Sequence, residues 1–124
     1  MVILVVDDSM MSRKMLISKL PQSIVEKSQI LQAKNGLEGV EMYKEYRPDI
    51  VFLDLTMPIM DGYEALQHIM EFDSTAFVVI VSADEQPRAV EKVLGLGAQR
   101  HISKSTSNDE LIEIIQMLIM KRMR

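Results

Sequence analysis

Short, fully apolar segments alternate along this chain with longer amphipathic ones, and this alternation constrains the fold more than any other feature. Val2–Val6 and residues 77–81 are continuous apolar runs, which are typical of strands buried on both faces in a parallel sheet. Between such runs, apolar residues recur at helical spacing, as do Met11, Met15, Leu16 and Leu20. The pattern therefore predicts strands and helices in strict alternation.

Five strands and five helices are expected from these segments. The predicted strands are Val2–Val6, Gln29–Ala33, Ile50–Leu53, 77–81 and 99–102. The predicted helices run from the first strand to Pro21 and then over Gly36–Tyr46, 61–70, 84–94 and 107–121. Asn35, Asp61 and Ser107 each precede a glutamate by three residues, a spacing typical of capped helix N-termini.

Strict alternation favours an α/β fold: a doubly wound, five-stranded parallel sheet with right-handed crossovers and helices on both faces. A chain of 124 residues can bury one hydrophobic core, and it contains no repeat, linker or low-complexity segment. We therefore expect a single domain over residues 1–124. In open sheets of this kind, ligands bind beyond the carboxyl ends of the strands.

Composition excludes several other classes of protein. The chain has no cysteine, so neither a disulfide framework nor a thiolate metal site is possible, and we expect a cytoplasmic protein. Its apolar runs are too short for a secretory signal or a membrane span, which predicts no membrane insertion. The net charge of −4 offers no basic surface for direct binding of nucleic acid.

Polar residues follow four of the predicted strands and should meet at one edge of the sheet. Asp7 and Asp8 follow the first strand, and Asp54 follows the third. Ser82 follows the fourth strand and Lys104 the fifth. Three converging carboxylates would repel each other unless a cation compensates them. Mg²⁺ is the natural candidate, because it prefers a few carboxylates together with waters and a substrate phosphate.

The same residues suit a phosphoryl group, whose oxygens a metal ion, the Lys104 ammonium and the Ser82 hydroxyl can share. Asp54 is the predicted nucleophile, since it stands alone on the central strand and can form an acyl phosphate. Each residue also has a simpler interpretation by itself. Asp7 and Asp8 could cap the first helix, while Lys104 and Ser82 could be ordinary surface residues.

The segments VVDDS, IVFLDLTMPIMDG, VIVSA and RHISK occur in this order, with a predicted helix between successive strands. This set resembles the receiver domain of bacterial response regulators over the whole chain, in particular the single-domain chemotaxis (CheY-like) type. The resemblance implies a flavodoxin-like (βα)5 fold with strand order 2-1-3-4-5. It also implies a monomeric two-component signalling protein whose only chemistry is its own phosphorylation and dephosphorylation.

By this resemblance, Asp54 accepts a phosphoryl group from the phosphohistidine of a sensor histidine kinase. Asp8, Asp54 and the backbone carbonyl of Thr56 would hold Mg²⁺ directly, and Asp7 would act mainly through water. Lys104 would pair with the phosphoryl group.

The resemblance also implies a conformational switch. In the family, the hydroxyl at the position of Ser82 moves toward the phosphoryl group, and an aromatic residue on the fifth strand rotates into the space. The corresponding residue here is His101, so we expect either a switch that also depends on charge or a strand histidine without a signalling role. Ser105 stands where proline usually follows Lys104, so that peptide bond is either trans or a cis bond costing roughly 3 kcal/mol.

The final predicted helix carries more apolar residues than its inward face needs. The inward face consists of Leu111, Ile114, Ile115 and Leu118. The additional apolar residues are Ile112, Met117, Ile119 and Met120. They predict either a broad core face or a docking surface for a downstream protein. The docking surface would also include the fourth predicted helix (84–94) and the fifth predicted strand. Candidate outputs are a flagellar motor switch protein, as in chemotaxis, and a phosphorelay.

Two other classes of protein remain as alternatives. A haloacid-dehalogenase-type aspartyl phosphatase uses a second acid two residues after its nucleophile, but that position is Thr56 here, so the proton donor is missing. The receiver half of a DNA-binding regulator fits the same residues, although residues 121–124 are too short for a helix-turn-helix.

Overall fold

A five-stranded parallel sheet forms the centre of the computed structural model, which describes residues 1–123. The strands are β1 (Val2–Val6), β2 (Gln29–Ala33), β3 (Ile50–Leu53), β4 (Val78–Ser82) and β5 (Arg100–Ser103). Their order across the sheet is β2-β1-β3-β4-β5, and every neighbouring pair is parallel. The predicted strand order 2-1-3-4-5 is therefore confirmed.

Six helices, instead of the five expected, connect or follow these strands within residues 1–123. They are α1 (Met10–Lys19), α2 (Gln22–Glu26), α3 (Gly36–Tyr46), α4 (Gly62–Phe72), α5 (Pro87–Gly95) and α6 (Asn108–Arg122). The predicted strict alternation of single strands and single helices is thus wrong at one point, between β1 and β2.

The short helix α2 is the element that sequence reasoning missed. Pro21 ends α1, because proline lacks the N–H that a helix interior requires, but its fixed φ also suits the start of a new helix. The Pro21 carbonyl accepts hydrogen bonds from the N–H groups of Ile24 and Val25, both at 3.0 Å. Ile24 and Val25 also pack against the core, so burial of their side chains stabilises this single turn.

Most other predicted boundaries agree with the structure to within a residue or two. The predicted bounds of β1, β2, α3 and β3 are confirmed, and β4 and β5 lie one residue later than expected. The largest shift is at α5, which begins at Pro87 and not at Asp84. Asp84 instead forms a turn in which its Oδ1 accepts from the N–H of Gln86 at 3.1 Å, and proline is favoured at a first helical position.

The three predicted helix caps are confirmed. Asn35 Oδ1 accepts from the N–H of the third residue after it at 2.8 Å, as Asp61 Oδ1 does at 2.9 Å and Ser107 Oγ at 3.2 Å. Each cap satisfies one of the backbone donors left free at the start of α3, α4 and α6.

The core consists of two apolar layers, one on each face of the sheet. Side chains alternate along each strand, so the neighbours Phe52 and Leu53 of β3 enter opposite layers. Helices α3, α4 and α5 cover the layer that contains Leu53, and α1, α2 and α6 cover the layer that contains Phe52. The predicted inward face of α6 is buried as expected. Within residues 1–123, no helix has both the length and the apolar character needed to cross a membrane.

Helix α4 begins in direct contact with the carboxyl end of β3. The Gly62 N–H donates to the Leu55 carbonyl at 2.9 Å, and a Cβ atom at Gly62 would lie only 2.0 Å from the Asp54 carbonyl oxygen. Only glycine allows this close approach of backbone to backbone. The segment after Asp54 is therefore held tightly against the start of α4.

We expect Gly62→Ala to lower the free energy of unfolding by about 3 kcal/mol, because the added methyl group collides with backbone atoms that cannot move aside. Gly95→Ala is the matched control, since nothing beyond the neighbouring residues and the backbone of its own helix lies within 4 Å of the added carbon. It should leave stability unchanged or raise it by up to about 1 kcal/mol. Urea unfolding followed by circular dichroism measures both changes. Equal stability of the two variants would contradict this account of the β3–α4 junction.

Candidate functional site

Two buried aspartates lie side by side where β1 and β3 end. The sheet register pairs Val6 with Leu53, so the next residues along the two strands, Asp7 and Asp54, are neighbours. The Asp54 N–H donates to the Val6 carbonyl at 2.9 Å, and the Asp7 N–H donates to the Ala33 carbonyl at 3.0 Å. Asp7 is 5% exposed and Asp54 is 4% exposed. Both acids are therefore held by the last hydrogen bonds of the sheet.

Asp8 completes a cluster of three carboxylates. One oxygen from each of Asp7, Asp8 and Asp54 lies within 4.8 Å of the other two, and Asp8 is exposed to solvent. The donors are all carboxylate oxygens, which hard divalent cations prefer, and the exposed side of the cluster leaves space for water ligands. The residues present therefore fit a hard divalent cation.

Lys104 provides the positive charge that faces this cluster in the structure. Its Nζ lies 3.0 Å from Asp7 Oδ2 and 3.4 Å from Asp54 Oδ2. Partial burial by itself would lower the pKa of Lys104, but the hydrogen bond to Asp7 and the charges of Asp54 and Asp7 outweigh burial and raise that pKa. The Lys104 N–H also donates to the Ser82 carbonyl at 3.2 Å, which fixes the loop after β5 to the end of β4.

Asp54 holds its proton more tightly than an ordinary aspartate. Burial is the main reason that the pKa of Asp54 is raised, and the negative charge of Asp7 adds to the effect. The charge of Lys104 and a hydrogen bond from the Leu55 N–H, at 2.9 Å, lower the pKa but do not cancel these effects. The ionised form of Asp54 is thus destabilised in the absence of further positive charge.

An open depression at the carboxyl edge of the sheet contains most of the predicted site residues. Its lining consists of Asp8, Asp54, Thr56, Ser82, Ala83, Asp84 and Lys104. Ser82 is buried, and its Oγ accepts a hydrogen bond from the Asp84 N–H at 3.0 Å, so its own hydroxyl proton remains available to a second acceptor. Ala83 and Asp84 line the depression because they directly follow Ser82, the last residue of β4.

The alternative in which the paired acids only cap α1 is wrong. Ser9 is the N-cap, and its Oγ accepts from the Ser12 N–H at 3.1 Å. Asp7 uses Oδ1 to accept from the Ser9 N–H at 2.9 Å and keeps Oδ2 for Lys104. The Asp8 side chain has no hydrogen bond or ion pair with the described part of the chain.

His101 lies outside the depression. It pairs with Ile80 in the β4–β5 ladder and is partly buried. Its Nε2 is fully buried and has no hydrogen-bond partner among residues 1–123. The peptide bond between Lys104 and Ser105 is trans, which decides between the two expected geometries of this loop.

Comparisons with known proteins agree with the geometry. A family model described as the response regulator receiver domain matches residues 3–116. Chemotaxis protein CheY of Listeria monocytogenes is 41% identical over 114 residues, which are 92% of this chain and 94% of the relative. Chemotaxis protein CheY of Halobacterium salinarum is 38% identical over 114 residues, covering 91% of this chain and 92% of the relative.

Solved structures of other proteins share the fold of this chain. The crystal structure of the CheX-CheY-BeF3-Mg complex from Borrelia burgdorferi contains a chain that superimposes with a TM-score of 0.84 and 33% identity. The match covers 95% of this chain and 88% of that one. The response regulator domain of CheB from Thermotoga maritima superimposes with a TM-score of 0.77 and 30% identity, covering 95% of this chain and 96% of that one.

We expect Asp54→Asn to stabilise the metal-free protein at neutral pH, on the order of 1 kcal/mol, since it removes a buried charge without changing shape. Because the folded protein binds the Asp54 proton more tightly than the unfolded chain does, wild-type stability falls as pH rises from the ordinary aspartate pKa through the raised one. The advantage of the variant should therefore disappear in acid. Thermal unfolding in the presence of a chelator, across a pH series, measures this difference. A variant that is less stable than wild type at neutral pH would contradict it.

Proposed function

The chain belongs to the response regulator receiver domain family, and we propose that it is a phosphorylation-dependent switch in which Asp54 is the phosphoacceptor. The observation that carries this proposal is the position of Asp54: a buried carboxylate at the tip of the central strand, lining an open depression and 3.4 Å from a lysine. A buried, poorly solvated carboxylate is a more reactive nucleophile than a hydrated one.

The proposed reaction is the transfer of a phosphoryl group from a phosphohistidine of a sensor histidine kinase. A carboxylate oxygen of Asp54 forms the new O–P bond as the P–N bond to the donor imidazole breaks, and the bonding electrons leave with that nitrogen. The product is an acyl phosphate on Asp54, which water later hydrolyses to aspartate and inorganic phosphate. The protein therefore acts only on itself and serves no metabolic substrate.

Two side chains are suited to bind the new phosphoryl oxygens. The Lys104 ammonium is already 3.0 Å from Asp7 and 3.4 Å from Asp54, so it can bind a phosphoryl oxygen with little movement. The Ser82 hydroxyl proton is free to donate, because Ser82 Oγ already accepts from the Asp84 N–H. These contacts would hold the loops after β4 and β5 in a new arrangement.

The three carboxylates support Mg²⁺ as the cofactor. Asp8, Asp54 and the backbone carbonyl of Thr56 would hold the ion directly, and Asp7 would act mainly through water. When bound, Mg²⁺ supplies positive charge that offsets the negative charge of the phosphoryl oxygens.

His101 is the proposed link between the phosphorylation site and the surface of α6. Its partly buried ring and its unpaired Nε2 mean that a change of rotamer breaks no hydrogen bond of that nitrogen within the described chain. The adjacent residue, Arg100, contacts α6 through Glu113 Oε1 at 3.1 Å and Met117 Sδ at 3.4 Å. A movement of β5 around His101 would therefore change the surface of α6.

The proposed output face consists of α5, β5 and the apolar residues of α6 that point away from the core. Met117, Ile119 and Met120 are exposed, and Ile112 is partly buried. Relatives named chemotaxis protein CheY, with 38% to 41% identity over nearly their whole length, support a chemotaxis output. We therefore propose a flagellar motor switch protein as the downstream partner, with a phosphorelay as the alternative output.

Incubation with acetyl phosphate and Mg²⁺ should add one phosphoryl group to the wild-type protein, as measured by intact-protein mass spectrometry. The adduct should be absent without Mg²⁺ and absent in Asp54→Asn. Asp49→Asn is the matched control, since Asp49 precedes the amino end of the same strand, and it should be phosphorylated like wild type. An adduct that persists in Asp54→Asn would refute Asp54 as the acceptor. Steady turnover of a small phosphatase substrate would instead support the aspartyl phosphatase alternative.

Ile119→Glu should weaken binding of the phosphorylated protein to the motor switch protein at least about tenfold, because it adds a charge to an apolar contact. Leu37→Glu on α3 is the matched control: Ile119 is 40% exposed and Leu37 is 41% exposed, but they lie on opposite faces of the sheet. The control should bind like wild type in a calorimetric titration. Equal affinity of the two variants would contradict the proposed output face.

A further inference from the structure

Arg13 connects the acidic cluster to the edge of the sheet. On α1, its guanidinium donates from Nη1 to the backbone carbonyl of Asp7 at 2.6 Å and from Nε to Gln32 Oε1 at 2.9 Å. Gln32 belongs to β2, the strand next to β1. The planar guanidinium of Arg13 thus joins α1, the end of β1 and the edge strand β2. Its two contacts fix it in one orientation.

The carbonyl that Arg13 contacts belongs to the peptide group between Asp7 and Asp8. This group is planar, so fixing its carbonyl oxygen also fixes the direction in which the backbone of Asp8 leaves it. The Asp7 side chain does not depend on Arg13, since Ser9 and Lys104 hold its two carboxylate oxygens. The effect of Arg13 therefore falls mainly on Asp8.

Asp8 needs such support more than the other two acids. Asp7 and Asp54 are buried, and their carboxylates accept hydrogen bonds and pair with Lys104, whereas Asp8 is exposed. Within residues 1–123, no hydrogen bond or ion pair holds the Asp8 carboxylate. The position of that carboxylate is consequently set by its backbone, and Arg13 is the side chain that fixes the preceding peptide group.

Charge alone does not explain an arginine at this position. A second cation close to the three acids competes with a bound divalent ion and lowers the affinity of the cluster for it. Arg13 helps metal binding only if the ordering of the Asp7–Asp8 peptide outweighs this repulsion. The two effects have opposite signs, so substitutions at Arg13 can separate them.

We propose that Arg13 is a positioning residue for the divalent-cation site: by fixing the peptide group between Asp7 and Asp8, it orders the Asp8 carboxylate for metal binding. This inference rests on the proposed function of the acidic cluster. Groups outside the ligand shell that orient metal ligands commonly affect affinity by tenfold or more.

The test compares the Mg²⁺ affinity of the unphosphorylated full chain and four variants, from NMR shifts of the Asp7, Asp8 and Ser9 amides. Arg13→Gln removes the charge and both contacts, and Arg13→Lys keeps the charge but cannot hold both partners. Gln32→Met removes the second contact of Arg13 at nearly constant size and charge. Lys14→Gln is the control, since it removes a positive charge from an exposed neighbour on the same helix.

Arg13→Gln is expected to raise the Kd for Mg²⁺ about tenfold. Arg13→Lys and Gln32→Met should raise it by a smaller factor, and Lys14→Gln should leave it unchanged or lower it slightly. Thermal unfolding without Mg²⁺ shows whether a variant is merely less stable, because a purely structural role changes the melting temperature and not the Kd of the folded protein.

A Kd that falls in Arg13→Gln and stays constant in Arg13→Lys and Gln32→Met would overturn the inference, since Arg13 would then act through charge alone. Unchanged Kd values in all three variants would also overturn it. If the wild-type amides do not shift with Mg²⁺, the proposed metal site itself is wrong, and the inference fails with it.

Discussion

The parallel ladder between β1 and β3 is the constraint on which the rest of the structure depends. It places Asp7 and Asp54 next to each other at the carboxyl edge of the sheet, with both carboxylates almost fully buried. Two buried like charges repel each other, and burial also penalises each one separately. The remaining features of the edge compensate this cost: Lys104 contacts both acids, and the sheet hydrogen bonds hold their backbones.

The compensation is incomplete, and this suits a molecular switch. Burial and the negative charge of Asp7 keep the pKa of Asp54 raised despite Lys104, and an added cation would relieve the repulsion between the acids. A site that is destabilised by itself but stabilised by what it binds can change the energy of the surrounding loops. The loops after β4 and β5 are joined at the Ser82 carbonyl, so a change at one strand tip extends to the other.

The sequence predicts most of the fold because the elements that are easiest to recognise are also the most buried. The strands β1 and β3 are continuous apolar runs, and their predicted bounds are confirmed. The helix α2 has only 5 residues, too short for a periodic pattern, and depends on Pro21 and on two apolar contacts with the core. Arg13 could not be predicted either, because its partners are a backbone carbonyl and a glutamine on another strand.

The sequence by itself determined which chemical groups the protein carries to the sheet edge, because parallel strands all end at that edge and their last residues must meet there. Only the tertiary structure decided how these groups are paired. It buries Asp7 and Asp54 but leaves Asp8 exposed. It also makes Ser9 the N-cap of α1 and keeps the peptide bond between Lys104 and Ser105 trans. Burial and pairing depend on residues from several strands and loops at once, and no local pattern in a sequence records such contacts.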